Sequence, residues 1–288
     1  MKILVTGAGG FIGGAMLRHL RSNYPDAELV GVLRQPATIA LMPDIRTTTT
    51  IEAADVLVHL AGNGGIPESV KNPALAFEGS CQCATDTLNM ARSAGIGMFV
   101  LASTCAVYPW GPKPAKEYGP LSLDTPYAQA KRAAEVYCET AAKLTDLDVR
   151  IVRLANIYGP HQKRQMIYDV ARRAIQNDGP LELLSSGAER RDFLHVADAA
   201  RAIWTIVENG SAGEIYNIGS GNPVSVRAVA ELIAETFQRT VAAPDDNTKD
   251  GEKDAFPDVQ RLQSFGFTPD YTIESGLKET LNWIGKNL

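Results

Sequence analysis

Tyr127 and Lys131 stand four residues apart in Pro126-Tyr127-Ala128-Gln129-Ala130-Lys131. On a helix, side chains at i and i+4 share one face. A phenol and an ammonium on one face can form a proton donor and acceptor that works near neutral pH. Free tyrosine titrates near about 10, and a neighbouring positive charge favours the phenolate and lowers that value. The spacing alone is common, because most Tyr/Lys pairs on helices are surface packing. It gains meaning only if the chain also supplies a cofactor and a third catalytic group.

A loop suited to a cofactor is present. Thr6-Gly7-Ala8-Gly9-Gly10-Phe11-Ile12-Gly13 follows an apolar run and opens a helical one. Gly7, Gly10 and Gly13 give Gly-x-x-Gly-x-x-Gly. Glycines permit the tight turn and let backbone approach a pyrophosphate. The helix amino end then offers N–H donors and a favourable dipole to that anion. A plain turn needs one glycine, not three in phase, so Gly7, Gly9, Gly10, Phe11, Ile12 and Gly13 are assigned to a dinucleotide. About twenty residues on, an acid would take the ribose 2′-hydroxyl of NAD. This chain has Arg34 there. An arginine can stack on adenine and pair with a 2′-phosphate, which favours NADP over NAD. The alternative is a solvated arginine at a strand end.

Positioning these groups requires alternating strands and helices. Short apolar runs at residues 3–6, 28–33, 56–60, 98–102 and 149–154 read as strands. Several are apolar throughout, as expected when helices cover both faces of a parallel sheet. Helical patterns fill 11–22, 73–93 and 126–144, and residues 35–54 leave room only for an abbreviated connection. After Gly159-Pro160 the pattern changes, with helices expected near 166–176, 199–208, 226–239 and 274–287. Residues 244–257, acidic with Gly and Pro, read as an exposed loop.

Bulk properties exclude several classes. The 288 residues suggest one large or two ordinary domains, and 45% apolar with 21% charged is typical of a soluble globular chain. A net charge of −5 gives no electrostatic reason to expect nucleic acid or an anionic membrane as partner. No apolar run reaches the roughly 18–20 residues of a membrane span, and the first residues read as a buried strand, not a signal peptide. Cys81, Cys83, Cys105 and Cys138 form no Cys-x-x-Cys pair and the four histidines are scattered, so no metal site is expected. Reduced thiols fit a cytoplasmic location.

Further motifs follow in order. They are Asp55-Val56-Leu57-Val58-His59-Leu60-Ala61, Ser103-Thr104 with Val107-Tyr108, Tyr127 with Lys131, and Arg153-Leu154-Ala155-Asn156-Ile157-Tyr158-Gly159-Pro160. Arg191-Asp192-Phe193-Leu194-His195-Val196-Ala197-Asp198 and Tyr216-Asn217-Ile218-Gly219-Ser220-Gly221 complete the series. Together with the glycine loop, and nearly end to end, the chain resembles the extended short-chain dehydrogenase/reductase family of nucleotide-sugar epimerases, dehydratases and reductases.

The resemblance implies a Rossmann-type doubly wound parallel sheet with a smaller, mainly C-terminal α/β substrate-binding domain. Residues 1–159 and about 190–220 would bind the dinucleotide; about 160–189 and 221–288 would bind substrate. It also implies roles. Thr104, four residues before Tyr108, would hydrogen-bond the reacting sugar oxygen. Tyr127 would move the proton, and Lys131 would hold the nicotinamide ribose and lower the Tyr127 pKa. The cofactor would carry the hydride. Asp44-Ile45 matches the adenine-contacting dipeptide, and Leu60-Ala61-Gly62 would line the cofactor cleft. Asn156 and Arg191 match positions that contact the nucleotide sugar, the arginine fork suiting a diphosphate. For Arg191 the alternative is an ion pair with Asp192 or Asp198. His59 and His195 read as packed strand residues.

In the family's 4,6-dehydratases, acidic residues follow the catalytic Thr or Ser and eliminate water. Here Cys105-Ala106 follow Thr104, so dehydration is disfavoured. An epimerase, and an NADPH-dependent 4-keto-sugar reductase of GDP-fucose-synthase type, both fit. A catalytically silent dinucleotide sensor is the remote third reading, because it would not need Tyr127 or Lys131. The resemblance further implies a homodimer through helices 73–93 and 126–144; Leu88, Ala91, Ala134 and Val136 are apolar enough to permit this, although ordinary core packing would ask for the same residues.

Overall fold

A computed structural model describes residues 1–35, 37–39, 42–62, 65–244 and 253–288. Its centre is a seven-stranded, all-parallel sheet. The strands are β1 (Lys2–Thr6), β2 (Glu28–Val32), β3 (Arg46–Thr48), β4 (Val56–His59), β5 (Met98–Thr104), β6 (Asp148–Leu154) and β7 (Ile215–Ile218). In space they run β3-β2-β1-β4-β5-β6-β7. The chain winds outward from β1 to β3, then restarts at β4 on the other side of β1. This is the doubly wound Rossmann-type α/β fold, and its strand order reverses between β1 and β4, where a cleft opens at the carboxyl ends.

The central strands are buried because helices cover both faces. On one face, Met16, Leu17 and Leu20 of helix Phe11–Asn23 pack with Ala199, Ile203 and Ile206 of helix Val196–Asn209. On the other, Leu88 and Ala91 of helix Cys83–Ser93 meet Ala134, Cys138 and Ala141 of helix Pro126–Leu144. A third cluster joins Tyr158 to helices Met166–Gln176, Val226–Thr236 and Ile273–Asn287.

Several expectations are corrected. The segment expected as one helix over 73–93 is Pro73–Phe77, a wider π turn over Glu78–Gln82, and then Cys83–Ser93. Leu88, Ala91 and Ala134, open to either a dimer contact or core packing, are fully buried in the chain's own core, because the helix periodicity turns them toward the sheet. Along these two segments the exposed large apolar residues include Leu75, Phe77, Met90, Val136, Tyr137 and Leu144. The loop expected over 244–257 falls largely outside the described residues. Its described end is not exposed: Asp254 and Phe256 are buried, and the Ala255 N–H donates to the Arg190 carbonyl. No described helix is long and apolar enough to cross a membrane.

Candidate active site

Thr104 ends β5, the strand next to β4. Its Oγ1 accepts the Ala106 N–H at 3.1 Å and caps the short turn Cys105–Val107. Tyr127 enters from the first turn of helix Pro126–Leu144. That helix starts where it does because Thr125 Oγ1 accepts the Ala128 N–H at 3.2 Å and Pro126 follows the cap. The Tyr127 phenol faces Thr104, whose hydroxyl lowers the phenol's pKa. Lys131 lies one turn further along, buried, with Nζ donating to the Ala102 carbonyl at 3.0 Å. The three expected catalytic residues therefore meet at one strand end.

Their electrostatics differ from the expectation. Burial raises the Tyr127 pKa, while the Thr104 hydroxyl and the Arg164 charge oppose this. Lys131 is not among the groups that shift it. The Lys131 ammonium is instead drawn to a backbone carbonyl, and burial lowers its own pKa to about 8, with Cys83 and Glu135 opposing. The pair shares a helix face, but Thr104 and Arg164 are the groups that oppose burial, and the Tyr127 pKa stays above its ordinary value.

The cleft beside this cluster is built from the glycine loop. Gly7 has φ +67°, and a Cβ there would stand 2.8 Å from the Leu60 carbonyl carbon. A Cβ at Gly13 would stand 2.1 Å from the Gly7 oxygen. Only glycine lets the loop, the first helix and the end of β4 approach this closely. Thr6 Oγ1 ties the two central strands, accepting the Ala61 N–H at 3.1 Å and bonding His59 Nδ1 at 2.9 Å. His59 is buried against Phe99, and burial lowers its pKa to about 3, so the ring is a neutral packing group. Gly62 adjoins Lys131, since a Cβ on it would come within 3.6 Å of Nζ. The glycine loop and residues 60–62 thus converge on the catalytic cluster.

These residues fit a dinucleotide. Helix Phe11–Asn23 begins at Gly10 with no side-chain cap and no acid in its first turn. Gly9 and Gly10 are exposed in front of it, with Phe11 and Ile12 half-buried behind. The amino end is left to an external anion. Arg34 stands exposed just past the carboxyl end of β2.

Asp44 and Ile45 are not brought to this cleft. Arg46 pairs with Val30 and Thr48 with Val32, so residues 44–45 precede the amino end of β3, at the opposite edge of the sheet. Asp44 pairs with Arg21 at 3.2 Å, and Ile45 is core. Residues 48–50 hold the carboxyl edge instead, with the Thr48 and Thr50 hydroxyls 3.1 Å apart. Their signal in the sequence is the polar threonine tract.

Asn156 and Arg191 do converge. Strand Asn156–Tyr158 pairs with Phe193–His195, and Asn156 Nδ2 donates to the Asp192 carbonyl at 3.1 Å. Arg191 pairs with neither Asp192 nor Asp198. It donates to the carbonyls of Arg190 at 2.9 Å and Lys253 at 2.6 Å, and lies over the Trp110 ring. Asp192 accepts the N–H groups of Ser220 and Gly221, and Asp198 those of Asp270 and Tyr271. Both acids anchor backbone, which leaves the Arg191 charge without a carboxylate partner among the described residues.

Sequence reasoning missed the support beneath the cluster. Glu135, one turn beyond Lys131, is fully buried and takes two hydrogen bonds from Arg153, at 2.9 and 2.7 Å, and one from Ser103. Arg153 also donates to Tyr108 Oη at 2.9 Å and the Glu117 carbonyl at 2.8 Å. A charge at i+8 on the Tyr127 face was the available signal.

Comparison with known proteins adds to this geometry. The model of the NAD dependent epimerase/dehydratase family matches residues 3–219. A dTDP-D-glucose 4,6-dehydratase of Mus musculus is 27% identical over 326 residues, covering 99% of this chain and 89% of that protein. A UDP-glucuronate 4-epimerase of Thermodesulfobacterium geofontis is 28% identical over 251 residues, covering 85% and 76%. The crystal structure of DesIV, a dTDP-glucose 4,6-dehydratase from Streptomyces venezuelae with NAD and TYD bound, is similar with a TM-score of 0.88 and 27% identity. That similarity covers 100% of this chain and 98% of that one.

Proposed function

The chain belongs to the NAD-dependent epimerase/dehydratase family, and from that premise we propose that it is an NAD(P)-dependent nucleotide-sugar epimerase. The observation that carries this reading is the gathering of Thr104, Tyr127 and Lys131 at the end of β5, with Cys105 and Ala106 next in the chain. Relatives of similar identity include dehydratases and epimerases alike. The chain's own residues support the epimerase: no acid directly follows Thr104, and no carboxylate is among the groups that shift Tyr127.

The bound dinucleotide supplies the hydride acceptor and donor. The amino end of helix Phe11–Asn23 holds its diphosphate, and Lys131 holds the nicotinamide ribose. Arg34 favours a 2′-phosphate. Asn156 and Arg191 hold the substrate's diphosphate. Thr104 Oγ1 hydrogen-bonds the reacting sugar oxygen, and Tyr127 Oη takes its proton as the carbinol becomes a ketone. The same phenol returns that proton when the hydride is delivered to the opposite face. Residues 1–159 with about 190–220 form the cofactor-binding part, and the remainder the substrate part. The protein pairs as a homodimer over the exposed Met90, Val136 and Tyr137.

The second reading, an NADPH-dependent 4-keto-sugar reductase, is favoured by Arg34. Denaturing the purified protein and identifying the released nucleotide separates the two. An epimerase releases near-stoichiometric NADP+ or NAD+. A protein that releases none, and consumes NADPH with a 4-keto nucleotide sugar, is the reductase.

A further inference from the structure

Three of the chain's four histidines meet in one groove away from the catalytic cluster. The groove has a volume of about 310 Å³ and lies between helix Phe11–Asn23, the loop after Gly159, and helix Ile273–Asn287. Arg18, His19, His161, His195 and Glu279 supply its charged and imidazole groups. No residue assigned above to the cofactor or the substrate lines it.

Two of these side chains lack the partners expected of them. Arg18 makes no hydrogen bond or ion pair among the described residues and has Glu279 as its nearest opposing charge. His195 is 3% exposed, and its Nε2 has no hydrogen-bond partner; Glu279 stands 3.8 Å away. The ring stacks on Tyr271 at 3.9 Å, and the residue lines the groove. A buried polar nitrogen without a partner costs stability unless something meets it. His161 takes a left-handed backbone with φ 73° and packs on Trp283 at 4.9 Å. Among non-glycine residues that conformation is uncommon, with Asn, Asp and His the types that adopt it most.

We propose that this groove binds a small oxyanion, a phosphate monoester or a short carboxylate, between Arg18 and the imidazoles of His161 and His195. The floor, Ala15 with Val196, suits a short apolar body on that anion. Burial lowers the pKa of all three imidazoles, so near neutral pH they act as uncharged hydrogen-bonding groups and Arg18 is the fixed cation. The acids and bases that face them from neighbouring elements are Glu279, Glu208, Asp198, Arg201 and Lys163. Arg201 is already paired with Asp198 and Asp270, and Glu208 with Tyr24. Of the charged groups that line the groove, Arg18 is the cation and Glu279 the acid, and Arg18 has no hydrogen-bond or ion-pair partner among the described residues. The described residues show no grouping of three His, Cys, Asp or Glu able to hold a metal ion.

Calorimetric titration of the dinucleotide-saturated protein with inorganic phosphate, and separately with succinate, tests the site. Saturable binding is expected at about millimolar Kd, and the tighter probe identifies the source chemistry. Arg18→Met should weaken it by about tenfold or more. His161→Asn tolerates the same backbone and should weaken it by a few fold. Glu279→Gln removes the competing acid and should tighten it. The opposite direction in Glu279→Gln would overturn the proposal. So would an absence of saturation for both probes, or binding lost in Arg191→Met but retained in Arg18→Met.

Discussion

Tyr127→Phe is expected to lower kcat by about 10²- to 10⁴-fold, the range for a general acid/base group, while dinucleotide binding stays nearly unchanged. The phenol is the titratable hydroxyl that faces Thr104 at the end of β5. Phenylalanine keeps the ring in the half-buried first turn of the helix and removes only Oη. The glycine loop, the uncapped helix amino end and Lys131 are untouched, so the cofactor keeps its contacts. Steady-state turnover with a nucleotide sugar, beside a dinucleotide titration, checks both halves. Full activity in the variant would remove Tyr127 from the reaction.

Glu135→Ala should destabilise the protein by about 3–5 kcal/mol, because it leaves the Arg153 charge buried without its partner. Arg153 is 1% exposed and Glu135 0%. Burial alone would lower the Arg153 pKa, and Glu135 more than reverses this. The pair lies directly under the site: Glu135 follows Lys131 by one helical turn, and Ser103, bonded to Glu135, precedes Thr104. Its loss should therefore reduce turnover as well as lower the thermal midpoint, by about 10 °C at the per-kcal scale of domains this size. The double variant Glu135→Leu with Arg153→Met should recover only part, since Tyr108 and the Glu117 carbonyl then lose a donor. Thermal unfolding of the single and double variants measures this. A single variant as stable as the wild type would show that the pair does not support the site.

The parts of the site that were legible are those where chemistry forces a residue type. Gly7 and Gly13 could not carry a side chain where the loop meets Leu60 and the first helix. Tyr127 and Lys131 had to share a helix face, and Thr104 had to end a strand. The edge strand β3 was not legible because three residues, Arg46–Thr48, give no usable period. Without its register, Asp44-Ile45 was placed at the cofactor edge although it lies at the other. The Lys131 effect on Tyr127 failed for a different reason. Spacing fixes which face a side chain leaves from, not where a long chain ends, and Nζ reaches Ala102. The Glu135–Arg153 pair was hidden because composition places charges on the surface, and only the fold shows that these are buried. Leu88, Ala91, Ala134 and Val136 could not be divided between core and dimer contact, because an apolar helix position looks the same whether it faces its own sheet or a partner.

The proposed reaction is reversible proton and hydride transfer at a sugar carbinol, without loss of water. The most direct test is the mass of the product formed from candidate nucleotide hexoses, separated chromatographically from unreacted substrate. A product with the same mass as its substrate, formed by the wild type and not by Tyr127→Phe, is the predicted result. A product lighter by one water would contradict it, and would mean that a carboxylate other than a neighbour of Thr104 performs elimination.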